Sequence, residues 1–329
     1  MNLLIPGGAG YIGSHMVKFA QELGHEVVVL DNFSTGHRWA VSDCEILEVD
    51  LLDQNKLSKL LKGRAFDGVI HFAAKSLVSE SFLKPDLYYK NNVAGTLNLI
   101  KTMIDNNISN IVFSSTAAIF GNPKTKKIKE CHKKSPINPY GKSKLMVENM
   151  LEDFAKAYEL NVTCLRYFNA AGAHCDSHIG EDHNPETHLI PNVIKSTIHE
   201  RDKLKVFGDT YKTYDGTCIR DYVHVTDLAR AHLLALKMME KHNGMFQYNL
   251  GNSDGFSVMD IIKSCERIIK TKISYTIEPA REGDPPSLIA DSSLAKEVLG
   301  WNTKYSDIDN IIKTAYEWHK KQNLIKNKN

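Results

Sequence analysis

The stretch Leu3–His15, LLIPGGAGYIGSH, decides the fold of this chain. An apolar run leads into Gly7, Gly10 and Gly13 at G-x-x-G-x-x-G spacing, and an amphipathic pattern runs on from Tyr11 to Leu23. Glycine lets such a turn adopt positive φ and lets backbone approach a pyrophosphate, whose charge the following helix N-terminus stabilises. The triplet alone is weak evidence. Its context carries it: a strand before, a helix after, and a second strand ending in Asp31 about 20 residues on. A carboxylate there bonds both ribose hydroxyls and repels a 2′-phosphate, so the residues favour NAD over NADP. Arg38 argues the other way but falls in the loop beyond. Asp50, ending a third strand, is placed to meet an adenine.

Outward from that stretch, apolar runs alternate with helical patterns. Strands are expected at Asn2–Ile5, Glu26–Leu30, Glu45–Val49, Gly68–Phe72, Ile111–Ser115 and Val162–Tyr167, and helices near Tyr11–Leu23, Gln54–Leu61, Pro85–Asp105 and Tyr140–Tyr158. Continuous apolar strands separated by helices predict a doubly wound, mostly parallel α/β sheet of Rossmann type, over residues 1–168. After Asn169 the rhythm loosens: a Gly/His-rich loop, a helix around Leu189–His199, strands at Leu204–Phe207, Phe246–Leu250 and Ile273–Ile277, a helix from Ser257 and two terminal helices. Residues 169–329 therefore form a smaller α/β lobe packed on the first, with about 217–240 returning to it.

Bulk composition narrows the class. The chain has 329 residues, 42% hydrophobic and 24% charged, with a formal charge of +2. That suits two compact lobes sharing an interface. The densest basic run, Lys124 to Lys134, is bounded by Pro123 and Pro136 and reads as a solvated loop rather than a nucleic-acid contact. Six scattered cysteines lack any Cys-x-x-Cys pair, so neither a disulfide nor a zinc framework is expected. No secretory signal and no membrane-length apolar run is seen, which predicts a cytosolic protein without membrane contact.

The chemistry centres on PYGKSKLMVE, where Tyr140 and Lys144 sit one helical turn apart, and on the strand IVFSST ending in Ser115 and Thr116. An i, i+4 pair projects from one helix face. A free tyrosine has a pKa near ~10. Lys144 and a positively charged nicotinamide are expected to lower that of Tyr140, while Thr116 hydrogen-bonds a substrate hydroxyl. Tyr316 and Lys320 repeat the spacing on the terminal helix with no hydroxyl-bearing strand end nearby, and read as a surface pair. Each singled-out residue has a plainer reading: Tyr140 as a core tyrosine, the glycines as a ligand-free turn.

These residues resemble the extended short-chain dehydrogenase/reductase family, and within it the nucleotide-sugar 4-epimerases. GGAGYIGSH, DNFSTGHR, HFAAKSLVSES, YYKNNVAGT, FSSTAAIFG, PYGKSKLMVE, LRYFNAAGAH, GEDH, GTCIRDYVHV, LGNSDGFSV and REGDPPSLIADSSLAKEVLGW follow in the family's order across nearly the whole chain. The resemblance implies an NAD-dependent enzyme that inverts carbon 4 of a UDP-hexose through a transient 4-keto sugar. It implies Tyr140 as acid/base, Lys144 as its tuner and ribose anchor, and Thr116 as orienter. It places the cofactor on Gly7, Gly10, Tyr11, Ile12, Gly13, Asp31, Asn32, Asp50, Leu51, Phe72, Ala73, Ala74, Asn91, Ser114, Tyr140, Lys144 and Tyr167. It places a UDP-sugar on Thr116, Asn169, Leu189, Val206, Phe207, Arg220, Arg281, Asp284 and Leu288. Arg220 has a second reading, as an ion pair at the lobe interface. A homodimer formed through the helices after Phe82 and before Tyr158 is implied as well.

The chain departs from the family at three places. Pro6 stands where Thr is usual, the lysine near the nicotinamide comes one place early at Lys75, and Leu288 replaces a tyrosine of the sugar pocket. The smaller leucine predicts some activity on UDP-N-acetylhexosamines. A 4,6-dehydratase would carry acid and base where this chain has Ala117 and Ala118. Epimerases of uronic-acid or pentose nucleotides remain alternatives, as does a non-catalytic sensor on the same scaffold. The histidine-rich loop, with His174, His178, His183 and His188 among Asp176, Glu181 and Asp182, has no closed-site spacing, and no metal is expected.

Overall fold

The computed structural model describes residues 1–198, 203–281 and 284–326. His199, the expected end of one helix, and Glu282 and Gly283 of the REGDPPS block lie outside the described residues. The first strands are β1 (Asn2–Pro6), β2 (Glu26–Asp31), β3 (Glu45–Glu48), β4 (Gly68–His71), β5 (Asn110–Thr116) and β6 (Asn161–Tyr167). With Met245–Leu250 they make a seven-stranded sheet in the order Met245–Leu250, β6, β5, β4, β1, β2, β3. Every pairing is parallel. Helices cover both faces, which is why β1, β4, β5 and β6 read as unbroken apolar runs. One core packs helices Tyr11–Glu22 and Val225–Met239 against one face. The other seats helices Gln54–Leu61, Gly95–Asp105 and Pro139–Tyr158 on the opposite face.

The order of β3, β2, β1, β4, β5 and β6 reverses direction beside β1, and the crevice for a ligand opens there, beyond the strand C-termini. The second lobe has its own core around Ile190, Val193, Ile261 and Ile311. Its strands are short: Leu204–Phe207 pairs in parallel with Tyr275–Glu278, and Ile219–Arg220 lies between Phe256–Ser257 and Ser287–Leu288. The chain does not divide cleanly at residue 169. Helix Val225–Met239 packs on helix Tyr11–Glu22, and strand Met245–Leu250 pairs with β6, so the segment returning to the first sheet runs on to Leu250.

Two local features differ from expectation. The helix expected over Pro85–Asp105 is three pieces: Pro85–Tyr88, a π-helical turn Tyr89–Ala94, and Gly95–Asp105. Such wide turns recur at functional sites. This one sets Asn92 so that its amide oxygen accepts from Lys75 N (2.8 Å) while its Nδ2 donates to Lys75 O and Ser143 Oγ, both at 3.0 Å. A short helix, Val78–Leu83, also appears where none was expected.

Candidate active site

The glycine-rich turn separates two reasons for glycine. Gly7 has φ +78°, and a Cβ there would sit 2.3 Å from Ala73 N; at Gly13 it would sit 2.1 Å from Gly7 O. Both are required by the chain's own packing. Gly10 is not: its backbone is extended (φ −77°, ψ 175°), and a Cβ there would have its nearest neighbour 3.5 Å away. Gly10 leaves a cradle that a side chain would fill. Behind it, helix Tyr11–Glu22 starts with no side-chain cap, so its first amides face the cradle. The diphosphate of a dinucleotide fits this arrangement. Pro6 does not disturb it, since its carbonyl still accepts from Phe72 N (2.8 Å) and Ala73 N (3.0 Å).

At the end of β2, Asp31 accepts from Ala9 N at 3.0 Å and Phe33 N at 2.8 Å, which fixes the carboxylate's direction. Burial raises its pKa, opposed by those backbone bonds. Asn32 donates to Asp50 at 2.8 Å, and Asp50 also accepts from Leu52 N. Arg38 is committed elsewhere: it pairs with Glu48 and lies 4.1 Å over the Phe33 ring. Arg38 therefore does not compete with the preference of Asp31 for a free ribose. Lys75 reaches the same region, its Nζ 3.5 Å from Ser34 Oγ.

The helix carrying the Tyr/Lys pair is anchored at both ends of its first two turns. Asn138 caps it, accepting from Gly141 N at 2.7 Å, with Pro139 at the first position. Such a cap is worth about 1 kcal/mol. Gly141 lets the helix approach the 3-10 turn Ala117–Phe120, where a Cβ would meet Ala118 O at 2.6 Å. Two turns on, Glu148 is buried and accepts from Ser115 Oγ (2.6 Å), Arg166 Nε (2.9 Å) and Arg166 Nη2 (2.7 Å). This bidentate pair ties the helix to β5 and β6 at once.

Lys144 is 3% exposed, donates to Ser114 O at 2.7 Å and lies 4.7 Å over the Phe113 ring. Burial pushes its pKa down to about 7, against Cys164 and Glu148, which raise it. Tyr140 is half-buried, and Thr116 caps the following turn by accepting from Ala118 N at 3.1 Å. Of the two charges expected to lower the pKa of Tyr140, Lys144 does not do so. Burial raises the tyrosine's pKa, and only the hydrogen bond with Thr116 opposes the rise. Lys144 spends its charge on Ser114 O and its burial, so the chain by itself does not make the phenol acidic.

One cleft of about 2280 Å³ gathers every residue the resemblance implied. Gly7, Gly10, Tyr11, Ile12, Gly13, Asp31, Asn32, Asp50, Leu51, Phe72, Ala73, Ala74 and Asn91 line its first-lobe end. Ser114, Thr116, Tyr140, Lys144 and Tyr167 line its middle, and Asn169, Leu189, Val206, Phe207, Arg220, Arg281, Asp284 and Leu288 its far wall. Ser114 and Tyr167 share a hydrogen bond across β5 and β6. Arg220 pairs with Asp284 and donates to Ile219 O (2.8 Å) and Pro285 O (2.9 Å), an ion pair on the cleft wall rather than one with its neighbour Asp221. Arg281 lies 3.9 Å over the Phe207 ring. Leu288 packs with Ile119, Phe120, Ile128 and Phe168 into a small apolar cluster.

Tyr316 and Lys320 do not line this cleft; Lys320 is exposed, 5.9 Å from the Tyr316 ring. Sequence reasoning missed Asn92, Glu148 and Arg166, whose signal was a charged or amide side chain inside an otherwise apolar pattern. It also missed a convergence in the histidine-rich loop. Glu181, His183, Glu186 and His188 meet on the cleft wall, their donor atoms within 4.8 Å of one another. His174 instead bonds Asp176 (2.7 Å) and approaches Glu22 (3.3 Å).

Known proteins agree with this geometry. Residues 3–251 match the NAD dependent epimerase/dehydratase family. The chain is similar to the UDP-glucose 4-epimerase of Halalkalibacterium halodurans, 48% identical over 97% of this chain and 96% of that protein. Its structure is similar to that of the Brucella ovis UDP-glucose 4-epimerase in complex with NAD, with TM-score 0.93, 47% identity and coverage of 96% and 97% of the two chains. It is similar too to the Bifidobacterium longum UDP-glucose 4-epimerase in complex with NAD+ and UDP, with TM-score 0.93, 36% identity and 98% of each chain covered. With glycine turn, paired Tyr140 and Lys144, and full-length likeness in agreement, the chain belongs to the NAD dependent epimerase/dehydratase family.

Proposed function

We propose that this protein is an NAD-dependent epimerase that inverts carbon 4 of a UDP-hexose, interconverting UDP-galactose and UDP-glucose. The observation that carries the reading is that Thr116, Tyr140 and Lys144 line one cleft together with the glycine-rich cradle of the first lobe and with Arg220 and Arg281 of the second. NAD held by the cradle would supply the hydride acceptor for carbon 4 and a positive charge that favours the phenolate. Tyr140, as phenolate, takes the proton of the 4-hydroxyl, which Thr116 holds by a hydrogen bond. The carbon–hydrogen bond at carbon 4 breaks as the carbonyl forms. Rotation of the 4-keto sugar about its diphosphate link presents the opposite face, and Tyr140 returns its proton to the oxygen when carbon 4 is reduced again. Lys144, fixed on Ser114 O one helical turn from Tyr140, would hold the nicotinamide ribose.

Arg220 and Arg281 suit the diphosphate, where forked donors match the oxygens, and Asn169, Leu189, Val206, Phe207 and Asp284 suit the nucleoside. Residues 1–168 with the returning segment to Leu250 serve as the cofactor lobe, and the rest mainly as the UDP-sugar lobe. Ala117 and Ala118 carry no proton donor, which disfavours a 4,6-dehydratase. Incubation with UDP-galactose and no added NAD, followed by product analysis, is the test. UDP-glucose as product is expected; no turnover, or a dehydrated 6-deoxy product, would reject the reading. A panel including uronic-acid and pentose nucleotides decides between sugars.

The apolar wall at Leu288 supports a second activity on UDP-N-acetylhexosamines, and Leu288→Tyr should lower the rate on the acetylated sugar more than that on UDP-glucose. We also place the protein in the cytosol as a homodimer. Its six cysteines are free, no helix of the described residues is long and apolar enough to cross a membrane, and Met146 and Tyr158 expose apolar surface on one of the helices expected to pair. A monomeric mass in solution would reject the dimer.

A further inference from the structure

We propose that Glu181, His183, Glu186 and His188 form a binding site for one divalent transition-metal ion, best suited to zinc, that pins the histidine-rich loop against the cofactor cradle. The inference stands apart from the sugar chemistry and concerns a site the reaction does not use. Glu181 Oε1 is 3.1 Å from His183 Nδ1 and contacts His188 Nδ1 as well. Glu186 Oε1 is 3.8 Å from His183 Nδ1 and 3.9 Å from His188 Nδ1. A tetrahedral ion with bonds of about 2.0–2.2 Å spaces its ligands about 3.3–3.6 Å apart. The separations of 3.1, 3.8 and 3.9 Å bracket that spacing, and all four donor atoms lie within 4.8 Å of one another.

The donor chemistry fits. Two neutral imidazoles and two carboxylates carry two negative charges, which a divalent ion balances, and mixed nitrogen and oxygen donors suit zinc. Ion pairing between histidines and glutamates is a poorer account of the geometry. Both Nδ1 atoms face the same carboxylate oxygen, and the two rings lie 5.3 Å apart, which sets two imidazolium charges side by side. His183 Nδ1 is moreover buried without a well-aligned hydrogen bond. Its approach to Glu181 Oε1 at 3.1 Å falls short of hydrogen-bond geometry, and a bound ion would satisfy the nitrogen.

The frame around the donors is built. Glu186 Oε1 accepts from Thr187 N (2.9 Å) and His188 N (3.0 Å), and Lys195 Nζ is 3.5 Å from Glu186 Oε2. The Glu181 side chain is 4% exposed, and its carbonyl accepts from Trp318 Nε1 at 3.3 Å. Outer bonds of this kind orient ligands for a metal. The His183 ring meets Tyr11 edge-on at 6.1 Å, and Tyr11 donates to Gly172 O at 2.6 Å. An ion here would hold the loop, the glycine-rich turn and the terminal helix as one unit.

The test uses the NAD-loaded enzyme. Chain purified from zinc-supplemented cells and dialysed should retain about one zinc per chain by elemental analysis. The His183→Gln/His188→Gln double variant should retain none. A chelator should lower the melting temperature of the parent protein by several degrees, and added zinc chloride should restore it. Crystals measured at the zinc absorption edge should show anomalous density midway between the four donors. Parent protein that takes up no zinc at micromolar free metal overturns the proposal, as does density at other residues or equal retention by the double variant. Should the variant not fold, the anomalous density in the parent crystals decides alone.

Discussion

Tyr140–Lys144 and Tyr316–Lys320 share a spacing and a secondary structure, yet only the first pair stands in a reactive setting. Lys144 is buried, bonded to Ser114 O and held near neutrality at about 7, while Lys320 is exposed over a ring. The first helix is also moored to two strands by Glu148 and Arg166; the second carries its pair on a face turned away from the cleft. A spacing puts two groups on one side of a helix. What surrounds that side makes the chemistry.

The largest effect should come from Tyr140→Phe, which removes the proton-transfer group and should cut kcat on the order of 10³-fold or more. Retention of the parental rate in steady-state kinetics would leave the two helices equivalent. Next, Arg166→Met strands the buried Glu148 carboxylate and should cost about 3–5 kcal/mol in denaturant unfolding. Replacing both partners with apolar residues should recover much of that loss. If it recovers none, the mooring acts through something other than charge.

Lys144→Met sharpens the contrast through pH. A lysine whose folded pKa is depressed to about 7 weakens the native state progressively as pH falls from its ordinary value toward 7, and the full penalty holds below that. The variant escapes it. It should therefore melt above the parent protein near pH 6, with the advantage shrinking as pH climbs past 7 toward 10. An advantage that does not change with pH would refute the depressed pKa. Smallest of all, Tyr316→Phe keeps the half-buried ring that packs on the second-lobe core, so it should leave kcat unchanged and stability within about 0.5 kcal/mol.

The cofactor half of the cleft was legible because its determinants are local. Gly7, Gly10, Gly13 and Asp31 sit on one strand–turn–helix–strand unit whose spacing encodes its shape. The far wall was not legible in that way. Leu189, Val206, Arg220, Arg281 and Leu288 come from separate segments, and only the ordered resemblance linked them. The Glu148–Arg166 pair spans different elements, so no periodicity announces it. Glu181, His183, Glu186 and His188 follow no helical or strand period, since their convergence is set by a loop. For Tyr140 the sequence reading counted charge and left out burial, which raises the pKa and follows from the packing of separate elements.

The path of the backbone has its own consequence for how the enzyme holds what it binds. The chain leaves the first lobe after Tyr167, returns with the helix from Val225 and the strand to Leu250, leaves again, and packs back on it around Ala295–Trp301. Such stitching gives no single hinge on which the halves swing apart. A nucleotide lodged between them escapes only if several seams part together, so exchange with the surrounding pool should be slow, and the electrons lent by one sugar are repaid to the same molecule.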